Sequence, residues 1–437
     1  MSTGLEALRA AHPWPEPLPS VEPTLWGWFR EEHERVLGPR LSTSTKVVVE
    51  LGSWLGMSTQ FLLRAAPDAT VIAIDHWQGS PEHHEREDWA AVLPTLYETF
   101  LVNCASFASR LIPLRMTTLA GIAAVAAAGV VPDLVYVDAG HDTDEVLADL
   151  RAVHAAWPSA VIVGDDWRWD TVRAAAETFT AETGRVPLVD GTAWTVEPVA
   201  FCTLAVRPAY RSRALLLAAD LASALPGATL VVATDDVTDF AHLPNVHAVA
   251  VDPSGPMAED YDPSMRLGGA GAYHDKRFAL EAALALAPTA VMVDADSRLV
   301  GRPVVPVLSP GLSVAHGMKE SVLSHLLWAG VRRLPSFVGL VRHLGDESLL
   351  SRGLWCQESC FAVSRDDRSA AFVEAWGTAA DYLQIRGMFS GEGGVIGIAA
   401  AVAGWEPSFT ALDVLGEFVK HERGGVRGQD SERREAP

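Results

Sequence analysis

Five aspartates stand just past apolar runs. "VYVDAGH" brings Asp138, "VIVGDDW" brings Asp165 and Asp166, and "VMVDADSRL" brings Asp294 and Asp296. Strand alternation puts Asp294 and Asp296 on one side, with the small Ala295 between them. Two carboxylates on one edge can share a cation, and that cation can neutralise a nucleotide diphosphate. A bare DxD also arises by chance, as a solvated turn after a strand. Asp138, Asp165 and Asp166 can likewise hold a hard divalent cation through oxygen ligands. Two such sites in one chain suggest two chemistries.

"ELGSWLGMST" joins an apolar run to a helical pattern through Glu50, Gly52, Ser53 and Gly56. Glycines there let the backbone turn tightly and approach a ligand closely, with helix amides facing it. Asp75 ends the next apolar run, where an acid can accept hydrogen bonds from ribose hydroxyls. A dinucleotide site wants GxGxxG, whose second glycine admits the pyrophosphate. Here the spacing is GxxxG with Glu50 in front, which suits S-adenosylmethionine (SAM): it has no pyrophosphate, and its ammonium can meet the acid. The plain alternative is a tight strand-to-helix turn followed by a strand-end acid. His141, three residues past Asp138, is a candidate general base or a helix-start histidine. "HWQGSPEHHERED" (76–88) is either a lid with a second metal or a solvated loop.

The elements that must hold these groups alternate strand and helix. A Pro-rich lead-in covers 1–20, and "TLWGWFREEHERVL" reads as an amphipathic helix. Strands are expected at 46–52 and 70–76, in "LIPLRM", in "PDLVYVDAG" and in "SAVIVGDD". Helices fall between them, including "DWAAVLPTLYETFLVNCASF" with an interruption at Pro94, one closed by Gly129 and one N-capped by Thr143. Unbroken apolar strands between helices mean a parallel sheet covered on both faces. "RVPLVDG" and "TAWTVEPV" meet at a DG turn, so the sheet should end in an antiparallel strand. The pattern restarts at "VAFCTLAV", and "YHDKRFALEAALALAPTA" is a helix leading into the DAD strand. From about 300 to 360 no period is clear. The end of the chain, "KHERGGVRGQDSERREAP", reads as a disordered charged tail.

On these residues, segment 21–198 resembles class I SAM-dependent methyltransferases, and within them the metal-dependent O-methyltransferases of the catechol and natural-product type. The resemblance implies a Rossmann-like α/β fold with a seven-stranded sheet. It implies SAM at Glu50, Gly52, Ser53, Gly56 and Asp75, and Mg²⁺ at Asp138, Asp165 and Asp166. The family often has Asn where Asp166 stands. It also implies catalysis at Asp138, where the cation grips the acceptor hydroxyl. Segment 199–420 is similar to GT-A α/β glycosyltransferases through "TDD", "LPNV", "KRF" and "DAD" in that order. This implies Mn²⁺ or Mg²⁺ and a nucleotide-sugar donor at Asp294 and Asp296. Lys276 and Arg277 would face donor phosphates or sugar, or form a salt-bridged helix face. Glu392 in "FSGEGGVIG" would stand beside the reacting sugar, or serve as a helix-start acid. Trp328, Trp355 and Trp376 are sugar platforms or core. The last segment, 421–437, is the tail.

The 437 residues fit two or three domains, and the formal net charge of −21 argues against nucleic-acid or anionic-membrane partners. Four cysteines without a CxxC read as core thiols of a reducing compartment, and Cys356 and Cys360 are spaced to meet on a helix. No signal peptide and no membrane span are expected, and the default location is the cytoplasm. The acceptor is a small molecule or glycan bearing hydroxyls, and oligomeric state is open. The reading is a bifunctional transferase. Its rivals are a methyltransferase with a docking module, an NAD-dependent oxidoreductase and a non-enzymatic scaffold.

Overall fold

The computed structural model describes residues 3–252 and 273–422. Most of the expected tail, 423–437, lies outside the described residues. The chain divides into two units. The first comprises Met1–Thr183 with Pro187–Val196, the second Gly184–Val186 with Glu197–Pro437. No helix among the described residues is long and apolar enough to cross a membrane.

In the first unit the strands are β1 (Val47–Leu51), β2 (Thr70–Asp75), β3 (Leu111–Arg115), β4 (Leu134–Val137), β5 (Val161–Gly164), β6 (Val186–Asp190) and β7 (Ala193–Glu197). They lie side by side as β6-β7-β5-β4-β1-β2-β3. β1 pairs in parallel with β2 and β4, and β7 is antiparallel to β5. All five residues of β1 are buried, as a central strand covered on both faces requires. Each such Val or Leu contributes about 1.5–3 kcal/mol relative to exposure. The carboxyl ends of β1, β2, β4 and β5 therefore deliver Gly52, Asp75, Asp138 and Asp165 to one edge. Gly164 must be glycine, because a Cβ there would lie 2.3 Å from the Trp194 ring.

Several local expectations are corrected. Thr3–Ala11 is a helix with Leu5 and Leu8 buried, not a loose lead-in. Of the helix expected over "TLWGWFREEHERVL", residues 24–30 are not helical, and Trp26 and Trp28 pack edge-on against Trp54 and Trp89 instead. Residues 87–110 are helical with the expected interruption around Pro94. The cap of helix Thr143–Ala156 is Asp142, whose carboxylate accepts from Asp144 N, rather than Thr143.

The second unit contains β8 (Val199–Ala205), β9 (Thr229–Thr234), β10 (Val246–Ala250), β11 (Thr289–Val293), β12 (Ser297–Leu299), β13 (Val305–Pro306), β14 (Gly311–Val314), β15 (Cys360–Ser364) and β16 (Val419–His421). Its main sheet runs β10-β9-β8-β11-β15-β14. The first four are mutually parallel, and β15 runs antiparallel to both its neighbours. β11 is wholly buried and ends directly at Asp294. The stretch without clear period holds β14 and helices Val322–Ala329 and Leu334–His343. Cys360 lies in β15, so Cys356 and Cys360 do not share a helix, and all four thiols are free and buried. Trp376 is core.

Candidate functional site

The first unit builds its site on the turn after β1. Gly52 and Gly56 have φ of +85° and +91°, where a side chain is strained. A Cβ on Gly52 would also lie 1.9 Å from the Asp138 carbonyl, so the two loops can meet only at a glycine. Gly56 opens helix Met57–Ala65. Asp75 pins the turn from β2: its Oδ2 accepts from Ser53 N at 2.9 Å and Trp54 N at 3.0 Å, and its Oδ1 from Trp77 N. The carboxylate thus serves the fold first, and each of its oxygens retains further acceptor capacity.

Glu50 is fully buried, and its Oε2 accepts from Ser53 Oγ and Thr59 Oγ1. Its Oε1 is buried without a partner. Burial pushes the Glu50 carboxyl up to about 7, against the lowering influence of the nearby Ser58, Thr59 and Ser53 hydroxyls. A buried acceptor left over beside a glycine turn fits an incoming N–H donor, such as an amino-acid ammonium.

Asp138, Asp165 and Asp166 each offer an oxygen within 4.8 Å of the others. Burial, then the charges of Asp165, Asp166 and Glu50, push Asp138 well above the carboxylate range. A cation held among the three carboxylates would offset the repulsive part of that shift. Asp165 is different. Burial opposes its charge, but the hydrogen bond and charge of His33 outweigh it and hold the carboxyl low. His33 Nε2 lies 2.7 Å from Asp165 Oδ2, and Trp194 Nε1 donates to the Asp165 carbonyl at 2.7 Å. Asp166 adopts φ +61°. Its Oδ2 lies 2.9 Å from His141 Nε2, and His141 Nδ1 meets Glu82. Burial opposes charge on His141, yet Asp166 and Glu82 raise its pKa overall. Every first-unit candidate thus reaches this edge.

In the second unit Asp294, Asp296 and His421 offer ligand atoms within 4.8 Å of one another. His421 arrives through the antiparallel pairing of β16 with β12, which sets it opposite Ser297. Lys276 Nζ lies 2.7 Å from Asp294 Oδ1 and 3.6 Å from Glu392 Oε1. Burial opposes its charge, but Asp294, Glu392 and Glu358 outweigh it and keep it an ammonium. Glu358 is pushed up by burial and then by Glu392. Arg277 is not in this group: it donates to the Gly377 carbonyl and pairs with Asp381, the helix-face alternative.

Four residues near these sites escaped sequence reasoning. His33 carried one hint, its place on the apolar face of a helix with Val36 and Leu37. Glu82 lay in the segment read as a lid or a solvated loop. Glu358 and His421 carried no signal, and His421 fell in the presumed tail.

A family model described as a methyltransferase domain matches residues 49–167. None of the curated proteins matches. Among solved structures, cofactor-bound Rv0187 from MTB is 22% identical, covering 45% of this chain and 90% of its own, at TM-score 0.29. Apo CalS11, a TDP-rhamnose 3'-O-methyltransferase, is 15% identical over 38% and 77%, at 0.29. MycE methyltransferase with Mg, SAH and mycinamycin VI is 12% identical over 44% and 54%, at 0.27.

Proposed function

We propose that the first unit, whose residues 49–167 form a methyltransferase domain, transfers a methyl group from SAM to a hydroxyl with a divalent cation, Mg²⁺. The observation that carries this reading is the convergence of Asp138, Asp165, Asp166 and His141 on the edge that holds the glycine turn. When bound, SAM supplies an electrophilic methyl group and Mg²⁺ supplies Lewis acidity toward the acceptor oxygen. The Gly52–Gly56 turn and Glu50 Oε1 would hold the amino-acid end of the cofactor, and Asp75 would accept from ribose. The three aspartates would hold the cation. Once Asp166 is drawn to the cation and releases His141 Nε2, that nitrogen would take the proton of the acceptor hydroxyl, which would leave the oxygen free to attack. Methyl transfer to hydroxyl-bearing glycans and phenols, read by mass spectrometry with and without EDTA, tests this. Loss of product with EDTA supports it, and cation-independent transfer counts against the aspartate role.

A second reading concerns the other unit: a GT-A-like transfer of sugar from a nucleotide donor. Its support is the DAD triplet at the end of buried β11, completed by His421, with Lys276 and Glu392 beside it. Asp294, Asp296 and His421 suit Mn²⁺ or Mg²⁺ through oxygen and imidazole ligands. Titration of uridine diphosphate with Mn²⁺ on wild type and Asp294→Ala tests it. Silence with uridine, guanosine and thymidine diphosphates leaves the unit an acceptor-docking module.

A further inference from the structure

We propose that Tyr136 is the positioning residue of Asp138. Its hydroxyl holds one carboxylate oxygen, Oδ2, and so turns the other toward the cation. This rests on the reading of the three aspartates as a Mg²⁺ site.

Each carboxylate of the cluster has its own support. His33 Nε2 lies 2.7 Å from Asp165, and His141 Nε2 lies 2.9 Å from Asp166. For Asp138 the support comes from its own strand: Tyr136 Oη lies 3.3 Å from Asp138 Oδ2. Among the described residues this hydroxyl is the one hydrogen-bond partner of the Asp138 side chain. The Asp138 backbone is fixed separately. Its N–H donates to the Leu51 carbonyl at 2.8 Å, and its own carbonyl is met closely by Gly52. The tyrosine therefore acts on the direction of the carboxylate and not on the path of the chain.

The fold explains how a hydroxyl comes to stand there. β4 is buried along its whole length, and Tyr136 is fully buried. Side chains two apart along a strand leave from the same face, so Tyr136 stands behind Asp138. In register it pairs with Glu50 of β1 on one side and Val163 of β5 on the other. The ring fills core that a phenylalanine would fill equally well. The hydroxyl is what needs an account, because a buried one must find a partner. Two acids flank it, Glu50 across the strand pair and Asp138 ahead. Glu50 Oε1 is left without a partner, and the hydroxyl meets Asp138.

A hydroxyl both donates and accepts, so the contact stands whether Asp138 is ionised or not, and the assignment rests on geometry. At 3.3 Å it is longer than the common hydroxyl–oxygen distance of about 2.7–2.8 Å, so it steers the carboxylate without clamping it. Losing the support of a metal ligand costs about 10–100-fold in affinity, and a contact of this length belongs at the lower end.

Tyr136→Phe removes the hydroxyl and keeps the ring. Calorimetric titration of MgCl₂ into the full chain, wild type and variant, reads the cation. S-adenosylhomocysteine titrated into the same proteins reads the neighbouring cofactor end. Mg²⁺ affinity should fall about 10-fold, and S-adenosylhomocysteine affinity should stay within about twofold of wild type. The assignment is overturned if Mg²⁺ affinity stays within about twofold, since the tyrosine then only fills the core. It is also overturned if both affinities fall together, since Tyr136 then supports the whole edge. A wild type that takes up no Mg²⁺ removes the cation reading and this assignment with it. If wild type binds Mg²⁺ but no S-adenosylhomocysteine, the SAM reading falls, and an unchanged urea midpoint of the variant serves as the control in its place.

Discussion

His33 Nε2 sits 2.7 Å from Asp165 Oδ2, with the histidine side chain fully buried and the aspartate 6% exposed. The pair fixes one of three carboxylates that would otherwise repel one another. Removing one partner leaves the other charge buried alone, which costs about 3–5 kcal/mol. His33→Ala should therefore lower the urea midpoint of the protein. It should also weaken Mg²⁺ binding about 10–100-fold, the usual penalty for losing a ligand's support. Calorimetry and urea unfolding check both effects.

Glu50 predicts a pH dependence of the opposite kind from a salt-bridged acid. Its ordinary value is 4.5, and burial raises it to about 7. A raised folded-state pKa means stability that is complete below pH 4.5 and lost as pH climbs through about 7. The loss is on the order of 3 kcal/mol for this fully buried group. Without ligand, Glu50→Gln should match wild type near pH 4.5 and exceed it at pH 8, while binding S-adenosylhomocysteine more weakly. Urea unfolding at the two pH values reads the crossing.

The three-aspartate cluster should make the first unit respond to Mg²⁺. Ligand at 100 times its Kd stabilises by about 2.7 kcal/mol. Thermal unfolding should shift upward with Mg²⁺ in wild type and stay flat in Asp138→Asn. A wild type indifferent to Mg²⁺ would remove the cation from this site.

Lys276 carries the matching prediction in the second unit. Its ammonium stands between Asp294 and Glu392 with 6% of its side chain exposed. Lys276→Met should destabilise by about 3–5 kcal/mol, and Mn²⁺ should restore more stability to the variant than it adds to wild type. Calorimetric melts with and without Mn²⁺ measure the difference.

Local chemistry was legible in the sequence where one strand or one turn carries it. "KVVVELG" announces a buried strand running into a glycine turn, and "VMVDAD" a buried strand running into two acids. Partners from distant segments were not legible. His33 reaches Asp165, Glu82 reaches His141 and His421 reaches Asp296 only after the chain has folded, and no periodicity encodes those meetings. "TLWGWFREEHERVL" misled in the other direction: the expected helix begins only at Glu31, and Trp26 and Trp28 pack edge-on against Trp54 and Trp89 instead. Arg277 shows the limit of motif transfer. It stands next to Lys276 in sequence, yet the helix points it at Asp381.

The central claim, a SAM site at the β1 turn, is tested most directly by titrating S-adenosylhomocysteine into the full chain and into Glu50→Gln. Saturable one-to-one binding by wild type, weakened in the variant, is the expected result. A folded wild type that binds NADH and ignores S-adenosylhomocysteine would contradict it.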